Sequence, residues 1–156
     1  MATVEVRFTA LPAHVRTARL VATAVARRAG VAEELLDEVR LAVGEACSRA
    51  VGLHQRSAPA APVRITMTDG RELFSVVVCD SVLDPGDDLE LPAAEDGSFE
   101  GALKLTGRGP ATDLLPPGFG LAVIAGLVDD VEVERAPDGT AVRMSWPVLP
   151  AGAAGA

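Results

Sequence analysis

Over the first nine residues the apolar side chains Val4, Val6 and Phe8 alternate with Thr3, Glu5, Arg7 and Thr9. A period of two belongs to a strand with one covered face, so Thr3 to Thr9 is expected to be β. From Pro12 the period lengthens, with Val15, Ala18, Leu20, Val21, Ala24 and Val25 at helical spacing as far as Arg28 and Gly30 as the stop. Pro12 suits a first helical turn, where its missing N–H has no partner to lose. A second helical run extends from Ala32 to about Gly52 through Leu35, Leu36, Val39, Val43, Ala46, Cys47 and Ala50, and Glu33 and Glu34 suit its electropositive start. After a Pro-rich loop at 57–62, two runs at 63–68 and 72–80 flank Asp69-Gly70-Arg71, a hairpin signal. An apolar helical segment is expected at 120–128. Runs at 131–135 and 140–148 then flank the turn Pro137-Asp138-Gly139.

Between these elements, residues 81–117 show no period and are rich in Pro, Gly and acid, including Asp84, Asp87, Asp88 and Glu90. So long an aperiodic segment is usually functional or disordered. The order β, α, α, β, β, long loop, α, β, β predicts a two-layer α/β sandwich. Its sheet would be mixed and mostly antiparallel, with the helices on one face. The 156 residues, 49% of them apolar, suit a single domain over 1–150, followed by a frayed Ala/Gly tail at 151–156. No internal repeat is evident.

Charge and side-chain chemistry narrow the function. A formal net charge of −8 argues against a phosphate-backbone footprint, which needs clustered Lys and Arg, and leaves room for a basic protein partner. Cys47 and Cys79 lie in apolar runs without metal-ligand spacing and read as small buried hydrophobes. His14 and His54 have no nucleophile or metal ligand beside them in sequence and read as surface residues. No stretch has membrane-spanning length and the first residues lack a leader pattern, so the expected location is the cytoplasm.

One segment carries a family resemblance. Asp37-Glu38-Val39-Arg40-Leu41-Ala42-Val43-Gly44-Glu45-Ala46-Cys47 resembles the N-box helix of the bacterial anti-sigma-factor serine kinases, members of the GHKL group of ATPases, whose sandwich is the Bergerat fold. The element order agrees over nearly the whole chain, and the specific likeness lies at 37–51 and 118–146. The resemblance implies that Glu45 stands where the family has its general base. Asp80, ending the run Phe74 to Cys79, stands where an aspartate accepts the adenine amino group. Gly118 and Gly120, in Gly118-Phe119-Gly120-Leu121, match the glycine box that cradles phosphates, and Thr140, after Gly139, matches the threonine near the adenine aspartate. It also makes 81–117 a lid over ATP, to which Arg108 would contribute if Gly107-Arg108-Gly109-Pro110 is more than a turn.

Two positions depart from the family pattern. Four residues beyond the base the family has an asparagine that ligates Mg, and this chain has Arg49. Residues four apart share a helix face, so Arg49 is expected to pair with Glu45. A guanidinium has donors and no acceptor, so it repels Mg where an amide oxygen would hold it, and no metal ligand is assigned. The held carboxylate would also be a weaker base. The family's Asp-x-Gly-x-Gly reads Asp80-Ser81-Val82-Leu83-Asp84 here, replacing two glycines by a β-branched residue and an acid. Each candidate also has a plain reading: a surface ion pair for Glu45 and Arg49, a turn-capping carboxylate for Asp80, and an ordinary helix entry for Gly118 and Gly120.

The resemblance therefore implies a partner-switching regulator. It would sequester an RNA polymerase sigma factor and bind a STAS-domain anti-anti-sigma protein, as a homodimer and with weakened or lost ATP and Mg binding, in the manner of a pseudokinase. The alternative is an active ATP-dependent protein-serine kinase that phosphorylates the anti-anti-sigma protein.

Overall fold

The computed structural model describes residues 2–82, 124–128 and 130–150. Strand β1 (Ala2–Phe8) leads into helix α1 (Pro12–Ala29). A 3-10 turn at Glu33–Leu35 then opens helix α2 (Leu36–Ser57). Strands β2 (Val63–Asp69) and β3 (Leu73–Cys79) form one hairpin, and β4 (Asp130–Ala136) and β5 (Gly139–Pro147) another. The sheet runs in the order β1-β2-β3-β5-β4, and every pairing in it is antiparallel. This is the expected two-layer α/β sandwich.

The period-two pattern sets the register of the core. Val63, Ile65 and Met67 of β2, Phe74, Val76 and Val78 of β3, and Val142, Met144 and Trp146 of β5 are all buried on one face. They pack under α2 residues Val39, Val43, Ala46, Cys47 and Ala50 and α1 residues Ala18, Ala22 and Ala26. Each such Val, Ile or Phe side chain contributes roughly 1.5–3 kcal/mol by leaving water. Alanines four apart on α1 let that helix approach closely. Between the helices, Gly44 of α2 lies under Arg19 of α1, and a Cβ there would come within 2.2 Å of the Arg19 Nε.

The boundaries follow local chemistry. Gly30 ends α1 in the left-handed conformation with φ 103°, its N–H reaching the Ala26 and Arg27 carbonyls. α2 runs past Gly52, the expected end, to Ser57, because Leu53 and His54 are buried and hold the last turn on the sheet. Of the expected third helix, 124–127 is helical, with Ile124 and Val128 buried, and its first residues lie outside the described residues. The opposite sheet face carries small polar ladders, with Thr3 against Thr68 and Ser75 against Ser145. Cys47 is buried as expected. Cys79 is only half-buried, because it points to that other face.

Candidate functional site

Asp80 follows the last residue of β3, where the sheet meets the C-terminal half of α2. Its carboxylate is gathered in from three directions. Arg49 Nη1 donates to Oδ2 at 3.1 Å, Val82 N–H donates to Oδ1 at 3.2 Å, and Thr140 N–H donates to Oδ1 at 3.3 Å. The side chains of Arg49 and Asp80 are 3% and 2% exposed, so the ion pair is dry. Taking two charges out of water is costly, and the pair persists because backbone donors satisfy the carboxylate's other oxygen. Arg49 Nε is buried with no hydrogen-bond partner among the described residues.

The β5 end of the site is built by close approach. Asp80 N–H donates to the Thr140 carbonyl at 3.0 Å, continuing the β3–β5 ladder by one step. Gly139 has φ 149°, and a Cβ there would meet the Asp80 carbonyl oxygen at 1.9 Å. Only glycine fits this backbone crossing. Thr140 thus lies beside Asp80, as the family resemblance implied, and it is buried.

His54 is a second clamp on the same junction. Its ring is fully buried, accepting from Ser81 N–H at Nε2 (3.0 Å) and lying 2.8 Å from the Ala61 carbonyl at Nδ1. A ring that accepts at Nε2 and faces a carbonyl at Nδ1 is the neutral Nδ1–H tautomer. The expectation of a surface histidine is corrected here. The residue lies between buried Leu53 and the start of the strand hairpin, and its apolar flank Val51-Gly52-Leu53 is the signal that points inward. His14 is nearer to expectation: half-buried, it bonds the Thr9 carbonyl through Nδ1 at 2.9 Å and meets Phe8 edge-on.

Arg49 has a partner that helical spacing did not suggest. Its guanidinium crosses from α2 to the end of β3 and pairs with Asp80, while helical spacing pointed to Glu45. Local spacing gives no weight to a partner 31 residues away. Glu45 is half-buried, one turn before Arg49 on α2. Gly118, Gly120, Arg108 and nearly all of the proposed lid at 81–117 lie outside the described residues. Among the described residues no group of three or more His, Cys, Asp or Glu side chains is placed to hold a metal ion.

Two features of the described residues bear on how an Mg-nucleotide could be held in the manner the resemblance implies. The Asp80 carboxylate, where the resemblance would place the adenine amino group, already accepts from Arg49 at Oδ2 and from two backbone amides at Oδ1. A guanidinium stands where the metal's amide ligand would be, and it offers only donors.

Comparison with known proteins agrees with this geometry at the level of the fold. A family model described as histidine kinase-like ATPase domain matches residues 8–146. The chain is 30% identical over 149 residues to the serine-protein kinase RsbW of Bacillus pumilus, covering 91% of this chain and 83% of that protein. It is 28% identical over 132 residues to the serine-protein kinase RsbW of Oceanobacillus iheyensis, covering 85% of this chain and 78% of that protein. No helix among the described residues is long and apolar enough to cross a membrane.

Proposed function

Because the chain belongs to the histidine kinase-like ATPase family and, within it, resembles the RsbW serine-protein kinases, we propose that it is an anti-sigma regulator that works by binding rather than by phosphoryl transfer. In this reading it holds a sigma factor and exchanges it for a STAS-domain anti-anti-sigma protein, as one component of a partner switch. The observation that carries the reading is the buried Arg49–Asp80 pair. It places the chain's own cation and carboxylate in contact at the position where relatives of this fold would engage a nucleotide. A formal charge of −8 favours capture of a basic segment of a sigma factor, since charge complementarity chiefly raises on-rate and specificity.

Calorimetry with ATP and ADP, with and without Mg, tests it first. The proposal expects no binding up to millimolar nucleotide, together with a stable complex with a sigma factor in the absence of nucleotide. Micromolar, Mg-dependent ATP binding followed by phosphate transfer to a STAS protein would overturn it.

A second reading, an active protein-serine kinase acting on the anti-anti-sigma protein, is favoured by one specific observation. Glu45 is retained on α2, and its neighbour Arg49 has a buried Nε without a described partner, which a phosphate oxygen would satisfy in place of a metal. Under that reading Glu45→Ala abolishes transfer while leaving sigma-factor binding in place.

A further inference from the structure

The helical layer carries a cleft of its own, apart from the Arg49–Asp80 junction. Helix α1 contributes Pro12, Val15, Arg16 and Arg19 to it, and helix α2 contributes Ser48, Val51, Gly52 and Gln55. Each set follows the spacing i, i+3, i+4, i+7 and so forms one face of its helix. The two faces bound a groove of about 250 Å³. Gly52 keeps it open, for a Cβ added there would meet nothing within 4 Å. Ser48 is exposed at this groove, while its neighbour Arg49 is buried against Asp80.

The charge of the groove is one-sided. Its lining holds two arginines and no acid, in a chain whose formal net charge is −8. Other exposed arginines of the helical layer have carboxylates: Arg27 reaches Glu33, and Arg40 pairs with Asp37, the acid that also lies beside Arg19. Among the described residues Arg16 and Arg19 pair with none. Arg19 is instead placed by packing, its guanidinium lying over Gly44 so closely that a Cβ there would come within 2.9 Å of Nη2. Its Nε is buried without a hydrogen-bond partner. A guanidinium stays charged and offers only donors, so this one is held in position with no counter-ion from the chain.

We infer that this cleft is a binding site for a small free phosphomonoester. Arg16 and Arg19 supply donors from α1, and the Ser48 hydroxyl and Gln55 amide supply donors from α2. A tetrahedral dianion accepts from several directions at once and uses donors on both walls, whereas a planar carboxylate is satisfied by the fork of one arginine. The groove also runs beyond a single oxyanion, since seven residues of helix span about 10 Å. Pro12, Val15 and Val51 line that remaining length, which suits an apolar ester group, and bare Gly52 leaves room for it. The site is independent of whether a nucleotide is held near Asp80.

Phenyl phosphate is the probe, compared by calorimetry with benzoate and inorganic phosphate on the full chain. Phenyl phosphate should bind one site with a dissociation constant below about 1 mM, and the other two should bind about tenfold more weakly or worse. Arg16→Gln and Arg19→Gln should each weaken phenyl phosphate by about tenfold or more, the usual loss of a charge-assisted hydrogen bond. Gly52→Leu removes no donor but fills the groove and should abolish binding. Leucine is the better helix former, so this variant should unfold at no lower a temperature than the wild type, which separates a blocked site from a damaged fold. Absence of saturable binding up to about 10 mM would overturn the inference. So would benzoate binding as well as phenyl phosphate, or binding that survives Gly52→Leu, which would place the anion elsewhere. A phosphoserine peptide that binds where phenyl phosphate does not would replace the small molecule with a protein partner and overturn it as well.

Discussion

Gly139 lies against Asp80 so closely that its missing Cβ defines the site, for a methyl group there would sit 1.9 Å from the Asp80 carbonyl oxygen. Gly139→Ala must therefore separate the β4–β5 hairpin from the end of β3, and its φ of 149° adds strain for any L side chain. The expected loss is about 2 kcal/mol or more in urea unfolding. Gly52→Ala is the control. It lies within α2 with nothing within 4 Å of the new methyl, and should be neutral or stabilise by about 0.5–1 kcal/mol.

The Arg49–Asp80 pair should behave as a buried unit. Arg49→Leu leaves Asp80 charged and dry, which costs about 3–5 kcal/mol. Asp80→Asn added to Arg49→Leu removes the stranded charge while an amide oxygen still accepts from Thr140 and Val82. The double variant should be more stable than Arg49→Leu alone. A double-mutant cycle in denaturant checks this, and simple additivity would show that the two residues are not energetically paired.

Trp146, the only tryptophan, reports on the contact between β5 and the start of α2, where its Nε1–H donates to Glu38 Oε1 at 3.1 Å. Glu38→Gln keeps an acceptor and should leave fluorescence and stability near wild type. Glu38→Leu strands the indole N–H beside the core and should cost about 1–3 kcal/mol, with a shift of the native emission maximum.

Cys47 is expected to stay a thiol through the whole neutral range, because burial pushes its pKa up to about 12 against the partial opposition of the nearby Arg19 charge. The unfolded thiol ionises near 9.0, so between that pH and about 12 the unfolded state holds fewer protons than the folded one. Stability is therefore full below pH 9 and falls as pH rises through this window, by at most about 1.4 kcal/mol per pH unit. Cys47→Ala should flatten that slope. A thiol reagent at pH 8 should label Cys79, which is half-buried, and reach Cys47 only on unfolding.

The periodic parts of the fold were legible in the chain because their signal is local. Val4-Val6-Phe8, the alanines of α1 and the Asp69-Gly70 and Asp138-Gly139 turns each announce their element within a few residues. The end of α2 was not, since Gly52 reads as a stop and only the burial of Leu53 and His54 against the sheet overrides it. The nearness of Thr140 to Asp80 followed from the family resemblance. The pairing of Arg49 with Asp80 did not, because a helix face suggests the carboxylate four residues away and carries no information about one at the end of a strand. His54 was misread for the same reason: its two partners, Ala61 and Ser81, lie in segments brought together only by the finished sheet.

That imidazole has a consequence for the chain that leaves β3. Ser81 N–H is tied to the ring and the next amide, Val82 N–H, to the Asp80 carboxylate, so two successive peptide planes are fixed from outside the strand. Both amides should exchange with deuterium as slowly as those of the sheet interior, although neither belongs to a ladder. The direction in which the polypeptide departs toward residue 83 is then dictated by the helical layer, and His54→Ala should release it, with Ser81 exchange rising to that of an exposed loop while the β3 amides before it remain protected.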